Sequence, residues 1–72
     1  MTHQEIRADV AQGLLGASIT LGLMVDGLRA RVEPGAFSGD EHATLHRALD
    51  LTRKAGKALA LLSGTIRGGA SQ

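Results

Sequence analysis

Apolar residues in the first half of the chain recur at the spacing of an amphipathic α-helix. Between Ile6 and Val32 they alternate three and four residues apart, as in a helix that packs against another helix. This first stripe comprises Ile6, Val10, Leu14, Ala17, Leu21, Met24, Val25, Leu28 and Val32. We therefore predict a first helix over residues 3–32 that packs through this stripe.

The first helix carries a second apolar stripe on nearly the opposite side. That stripe contains Leu15, Ile19 and Leu23 with Ala8 and Ala30, and a column of Gly13, Gly16, Thr20 and Gly27 lies between the two stripes. A glycine inside a helix costs about 1 kcal/mol relative to alanine, which close packing of another helix would offset. The alternative is that these glycines only reflect a composition rich in Gly and Ala. We predict an intermolecular interface at Gly13, Leu15, Gly16, Ile19, Thr20 and Leu23.

Local sequence signals set the limits of two helices. Thr2 with Glu5, and Ser38 with Glu41, have the spacing of N-terminal capping boxes. Pro34 and the glycine after it end the first helix. We predict a turn over residues 33–38, a second helix over residues 39–67 and a flexible tail over residues 68–72, so that a single domain covers residues 1–67.

The second helix has a more conventional division into an apolar and a polar face. Its predicted apolar face holds Thr44, Leu45, Ala48, Leu51, Thr52, Ala55, Ala58, Leu59, Leu62 and Ile66. Its polar face holds His42, His46, Arg47, Asp50, Arg53, Lys54 and Lys57, and is interrupted by Leu49 and Leu61. Two such helices joined by a short turn predict an all-α fold, an antiparallel helical hairpin.

The size of the chain favours completion of this hairpin by another chain. With 72 residues, the chain is small enough to need stabilisation beyond its own core. It has no cysteine, so a disulfide cannot provide that stabilisation. One helix can cover only one stripe of the first helix. We therefore predict a four-helix bundle, formed by self-association or with a larger partner protein.

Charge and motifs indicate no catalytic chemistry. Eight Lys and Arg balance seven Asp and Glu to a net charge of +1, and we find no phosphate-binding loop or nucleophile–base pair. We predict no enzyme, cofactor or small-molecule substrate. His42, His46 and Asp50 have the spacing of metal ligands on one helix face, but a solvated face explains them equally well.

Function is therefore predicted as a non-enzymatic protein–protein interaction module: an adaptor, an inhibitor or an assembly subunit. One alternative is a nucleic-acid-binding regulator that uses Arg47, Arg53, Lys54 and Lys57. Another is a membrane-associated hairpin, although the uncharged run from Val10 to Val25 is shorter than the roughly 20 residues of a spanning helix. The N-terminus lacks a secretory signal pattern, so the expected location is cytoplasmic.

Overall fold

Two long antiparallel helices form the protein in the computed structural model, which describes residues 2–70, with side chains for residues 2–68. Helix α1 spans His3–Arg31 and helix α2 spans Gly39–Ala70. The Cα trace is a rod 53 Å long and 15 Å across in both other directions. The predicted all-α hairpin is confirmed. Helix α2 continues to Ala70, so the start of the predicted tail is helical, and residues 71 and 72 lie outside the described part.

Both helices begin at the predicted capping boxes. In α1 the Thr2 hydroxyl accepts from the Glu5 amide at 3.2 Å, and the Glu5 carboxylate accepts from the Thr2 amide at 3.3 Å. In α2 the Ser38 hydroxyl accepts from the Glu41 amide at 3.1 Å, and the Glu41 carboxylate accepts from the Ser38 amide at 2.9 Å. Each box therefore satisfies amide groups that the first helical turn leaves without partners.

The turn between the helices is built on Pro34 and Gly35. The Ala36 amide donates to the Glu33 carbonyl at 3.2 Å, and Gly35 has a φ of 85°. Proline followed by a residue in the left-handed region is typical of a type II turn, in which glycine avoids the strain of a side chain. This turn reverses the chain so that α2 runs back along α1.

The contribution of the Ser38 cap to the stability of the hairpin can be tested by substitution. We expect Ser38→Ala to lower the free energy of unfolding by about 1 kcal/mol, because the Glu41 amide loses its partner. Thr65→Ala is the control, since the Thr65 hydroxyl only bonds back to the Leu61 carbonyl within α2 and alanine is the better helix former. Urea titration followed by circular dichroism measures both. Equal loss in the two variants would contradict the assigned cap.

Small side chains form the seam, which we define as the line of residues through which each helix faces the other. Its members recur every seven residues, at Ala11, Ser18 and Val25 of α1 and at Leu49, Gly56 and Ser63 of α2. The Ser18 hydroxyl donates to the Gly56 carbonyl, and the Ser63 hydroxyl donates to the Ala11 carbonyl, both at 2.6 Å. The seam thus combines a coiled-coil repeat with hydrogen bonds from serine to the facing backbone.

This seam differs from the two predicted apolar faces. Leu49, predicted to interrupt the polar face of α2, is only 5% exposed, whereas Leu51 of its predicted apolar face is 59% exposed. On α1 the predicted stripe is divided: Leu14, Leu21, Val25 and Val32 are buried or half-buried, while Ile6, Val10, Ala17, Met24 and Leu28 are exposed. The physical reason is that small residues let the backbones approach closely, so the helices meet along them rather than along the largest apolar side chains.

Candidate functional site

Ion pairs between the helices mark one side of the hairpin, which we call the ion-paired side. Arg29 Nη2 lies 2.5 Å from Asp50 Oδ1, and the Arg53 guanidinium pairs with the Asp26 carboxylate. Arg29 also lies 3.5 Å from Nδ1 of His46. These partly exposed pairs contribute roughly 0–1 kcal/mol each. They show which rotational positions of α1 and α2 share a side.

The opposite side of the seam is apolar on both helices. Successive residues turn by about 100° around a helix, and the sense of rotation is reversed between antiparallel neighbours. Asp26 follows the seam residue Val25, and Asp50 follows the seam residue Leu49. Each therefore lies about 100° around its helix from the seam, on the ion-paired side. Met24 of α1 and Leu51 of α2 are displaced in the opposite direction. The two helices therefore present their exposed apolar residues on the same side.

We call this surface the uncharged side. Its exposed residues are Ile6, Val10, Gly13, Ala17, Thr20, Met24 and Leu28 of α1 and Thr44, Ala48, Leu51, Ala55, Ala58 and Leu62 of α2. Between Val10 and Leu28 and between Thr44 and Leu62 no charged residue is directed toward this side. At its two ends, the Arg7 guanidinium donates to the Ile66 carbonyl at 3.3 Å, and Arg31 lies beside Met24 and Leu28. Near the turn, the exposed Phe37 extends it and lines an open cavity of about 540 Å³ with Thr44, Leu45, Ala48 and the acidic residues Asp40 and Glu41. The uncharged side is a candidate interaction surface to which both helices contribute.

Most of this surface is made of residues that the sequence had placed between the helices. The predicted intermolecular interface shares Gly13 and Thr20 with this side, and its other residues lie around the outer surface of α1. Its large residues, Leu15, Ile19 and Leu23, are exposed, and we call them the outer ridge. A Cβ atom added at Gly13 or Gly16 would meet no other part of the described chain. Gly13 and Gly16 therefore have no close neighbour on α2, and the interface predicted there remains a prediction.

The histidines of α2 lie beside an arginine. The rings of His42 and His46 are 4.5 Å apart between centroids, and Arg29 contacts both His46 and Asp50. A guanidinium thus supplies the positive charge next to Asp50 that a metal ion would otherwise provide. Among the described residues, no group of three or more His, Asp or Glu side chains could hold a metal ion.

The four basic residues considered for nucleic-acid binding have different surroundings. Arg53 is paired with Asp26. Arg47, Lys54 and Lys57 are exposed; Arg47 and Lys54 face away from α1, and Lys57 lies on the ion-paired side at the rotational position of Asp50. Helical geometry places Asp50 beside them, and Asp50 carries the ion pair with Arg29. The result is a set of separate surface cations, and nucleic-acid binding remains an untested prediction.

Helix α1 is long and apolar enough to cross a membrane, by length and composition alone. Only 11% of its most apolar window is buried within the hairpin. The unburied part includes residues of both the uncharged side and the outer ridge.

Comparison of the chain with protein-family models, with curated proteins and with solved structures gave no match. The candidate site is therefore defined by its geometry, an exposed apolar side opposite a side held by ion pairs.

Proposed function

We propose that this hairpin is a non-enzymatic protein–protein interaction module that docks through its uncharged side. The supporting observation is the size of that side. From Ile6 to Leu28 the helix rises about 33 Å at 1.5 Å per residue, and the rod is 15 Å across, giving a footprint of about 500 Å². The largest apolar patch on a monomeric protein is typically about 300–600 Å² and is often functional, and this footprint lies in that range.

The small core of the hairpin supports the same proposal. Its only buried hydrophobic residues within the described chain are Ala11, Val25 and Leu49. Burying a large aliphatic side chain completely contributes about 1.5–3 kcal/mol, so much of the available stabilisation remains unused in the isolated chain. Docking of the uncharged side on a partner would bury its apolar side chains and add that stabilisation. An adaptor or an assembly subunit is consistent with this, because a partner that binds only the folded chain stabilises it.

Photo-cross-linking in the native host tests this function. We expect a benzophenone amino acid in place of Leu51 to give discrete protein adducts, because Leu51 lies on the uncharged side. The same substitution at Leu61 is the control, since Leu61 lies on the same helix but toward the ion-paired side, and is 73% exposed. Absence of adducts from position 51, or equal adducts from both positions, would contradict the proposal.

A second candidate function is association with a membrane through α1. The length and apolar composition of α1 favour it. The chain has no Trp or Tyr, the residues that anchor spanning helices at both membrane surfaces. Fractionation of the same cells distinguishes the two functions: a membrane protein stays with the membrane fraction until detergent is added, whereas a soluble module does not.

A further inference from the structure

We infer that the occupant of the uncharged side is a second copy of this chain, related by a two-fold axis that crosses the helices at the height of Ala17. This inference rests on the proposed function and names its partner. It places the dimer interface on the uncharged side and leaves the outer ridge exposed. The result is a four-helix bundle in which all neighbouring helices are antiparallel.

The residues of the uncharged side form three bands along the rod. The cross-helix bonds place Ser18 opposite Gly56 and Ala11 opposite Ser63, which sets the relative height of every residue. Large side chains form one band near the turn, with Met24, Leu28 and Leu51, and another near the chain ends, with Ile6, Val10 and Leu62. The exposed residues between them are all small: Gly13, Ala17, Thr20, Ala55 and Ala58. The half-buried Leu14, Leu21 and Leu59 lie at the same heights but nearer the seam.

These bands are symmetric about one height on both helices. On α1, Val10 and Met24 lie seven residues from Ala17 in opposite directions, and Ile6 and Leu28 lie eleven residues from it. On α2, Leu51 and Leu62 lie symmetrically outside Ala55 and Ala58. The centre of the α2 pattern falls beside Gly56, at nearly the same height as Ala17. A single axis therefore serves both helices.

A two-fold interface requires self-complementarity, because each residue that contacts a second one is contacted by it in return. An axis at Ala17, perpendicular to the helices, brings α1 against α1 of the second copy and α2 against its α2. Val10 then meets Met24 of the second copy, Leu51 meets Leu62, and Ala17 meets itself. A two-fold axis parallel to the helices would not require the bands to be symmetric, so the symmetry favours the perpendicular axis.

The area reaches the lower bound for a biological interface. Two footprints of about 500 Å² bury about 1,000 Å² in total, the size at which a biological interface becomes distinguishable from incidental contact. Side chains beyond the Cα outline add to this figure. The central band of small residues lets the helices approach closely, as small residues do where helices pack. The small side chains of this band would insert little apolar volume into a lipid bilayer. A second protein surface is therefore a better occupant of this side than lipid.

Cysteine cross-linking tests the position of the axis. We expect Ala17→Cys, oxidised with copper phenanthroline, to convert most of the purified chain to a disulfide-linked dimer. Ala8→Cys is the matched control, because Ala8 is also an exposed alanine of α1 but is displaced from the seam toward the ion-paired side. It should remain mostly monomeric under the same conditions. Both substitutions are at exposed positions outside the seam. Light scattering of the reduced proteins gives their masses in solution.

Each alternative result overturns the inference. A dimer in solution that Ala17→Cys does not cross-link has a different interface or a different axis. Equal cross-linking of both variants indicates random collision. A monomeric chain, or one that floats with phosphatidylcholine–phosphatidylglycerol vesicles as a monomer, has no self-association of this kind. A monomer that still forms adducts with another protein through position 51 retains the proposed function, so the two failures are distinguishable.

Discussion

Replacing Gly56 by leucine is expected to destabilise the hairpin strongly. A Cβ atom at this position would lie 3.5 Å from the Ser18 carbonyl oxygen and 3.6 Å from the Leu21 Cβ. These are ordinary contact distances, but they leave no room for the rest of a leucine side chain. Overpacking of this kind costs typically about 1–3 kcal/mol, a large part of the roughly 3–5 kcal/mol that a core of this size supplies.

Two further variants separate steric crowding from helix propensity. Gly56→Ala should be neutral or stabilising, since its Cβ just fits and alanine favours the helix by about 1 kcal/mol. Gly64→Leu should stabilise, because a Cβ at Gly64 meets nothing within 4 Å. Thermal unfolding at one fixed chain concentration measures all three. If Gly56→Leu were as stable as Gly64→Leu, the close approach of the helices at Gly56 would be wrong.

A charge on the uncharged side is expected to abolish self-association. Met24→Asp places a carboxylate where the second copy docks, and two carboxylates enter each dimer. Burying an unpaired charge costs several kcal/mol, and each 1.4 kcal/mol changes an equilibrium tenfold. We therefore expect the dimer dissociation constant, measured by sedimentation equilibrium, to rise at least about 100-fold.

Ile19→Asp is a closely matched control. Ile19 is 57% exposed and Met24 is 56% exposed, and the two lie about 110° from the seam in opposite directions around α1. Both variants introduce the same residue into the same helix, so their effects on helix propensity cancel in the comparison. We expect Ile19→Asp to change the dissociation constant less than about threefold. The reverse order of effects would place the interface on the outer ridge, where the sequence predicted it.

Local signals in the sequence predicted the elements of this fold well. The capping boxes at Thr2 and Ser38 and the turn at Pro34 act within a few residues of the chain, so they can be read without tertiary information. Only the end of α2 was missed, because glycines after Arg67 suggested a tail. Two long helices with one short turn then leave the antiparallel hairpin as the simplest arrangement.

The choice of contacting faces could not be read in the same way. A helical pattern shows which residues share a stripe, but helix α1 has several apolar positions around its circumference. Ranking the stripes by apolar content placed Met24 inside and Leu49 outside, which the structure reverses. Serine and glycine carry little weight in such a ranking. In three dimensions Ser18 and Gly56 determine the contact, because they permit a close approach and a hydrogen bond that larger side chains would prevent.

The amino-acid sequence thus determines the helices, their caps, the turn and the excess of apolar surface over what one hairpin can bury. These properties depend on local conformational preference and on composition. Packing of α2 on α1 determines which apolar residues remain outside and gathers those from Ile6 to Leu28 and from Thr44 to Leu62 on one side. That arrangement depends on the rotation of each helix about its own axis, which is set by steric fit between the two helices.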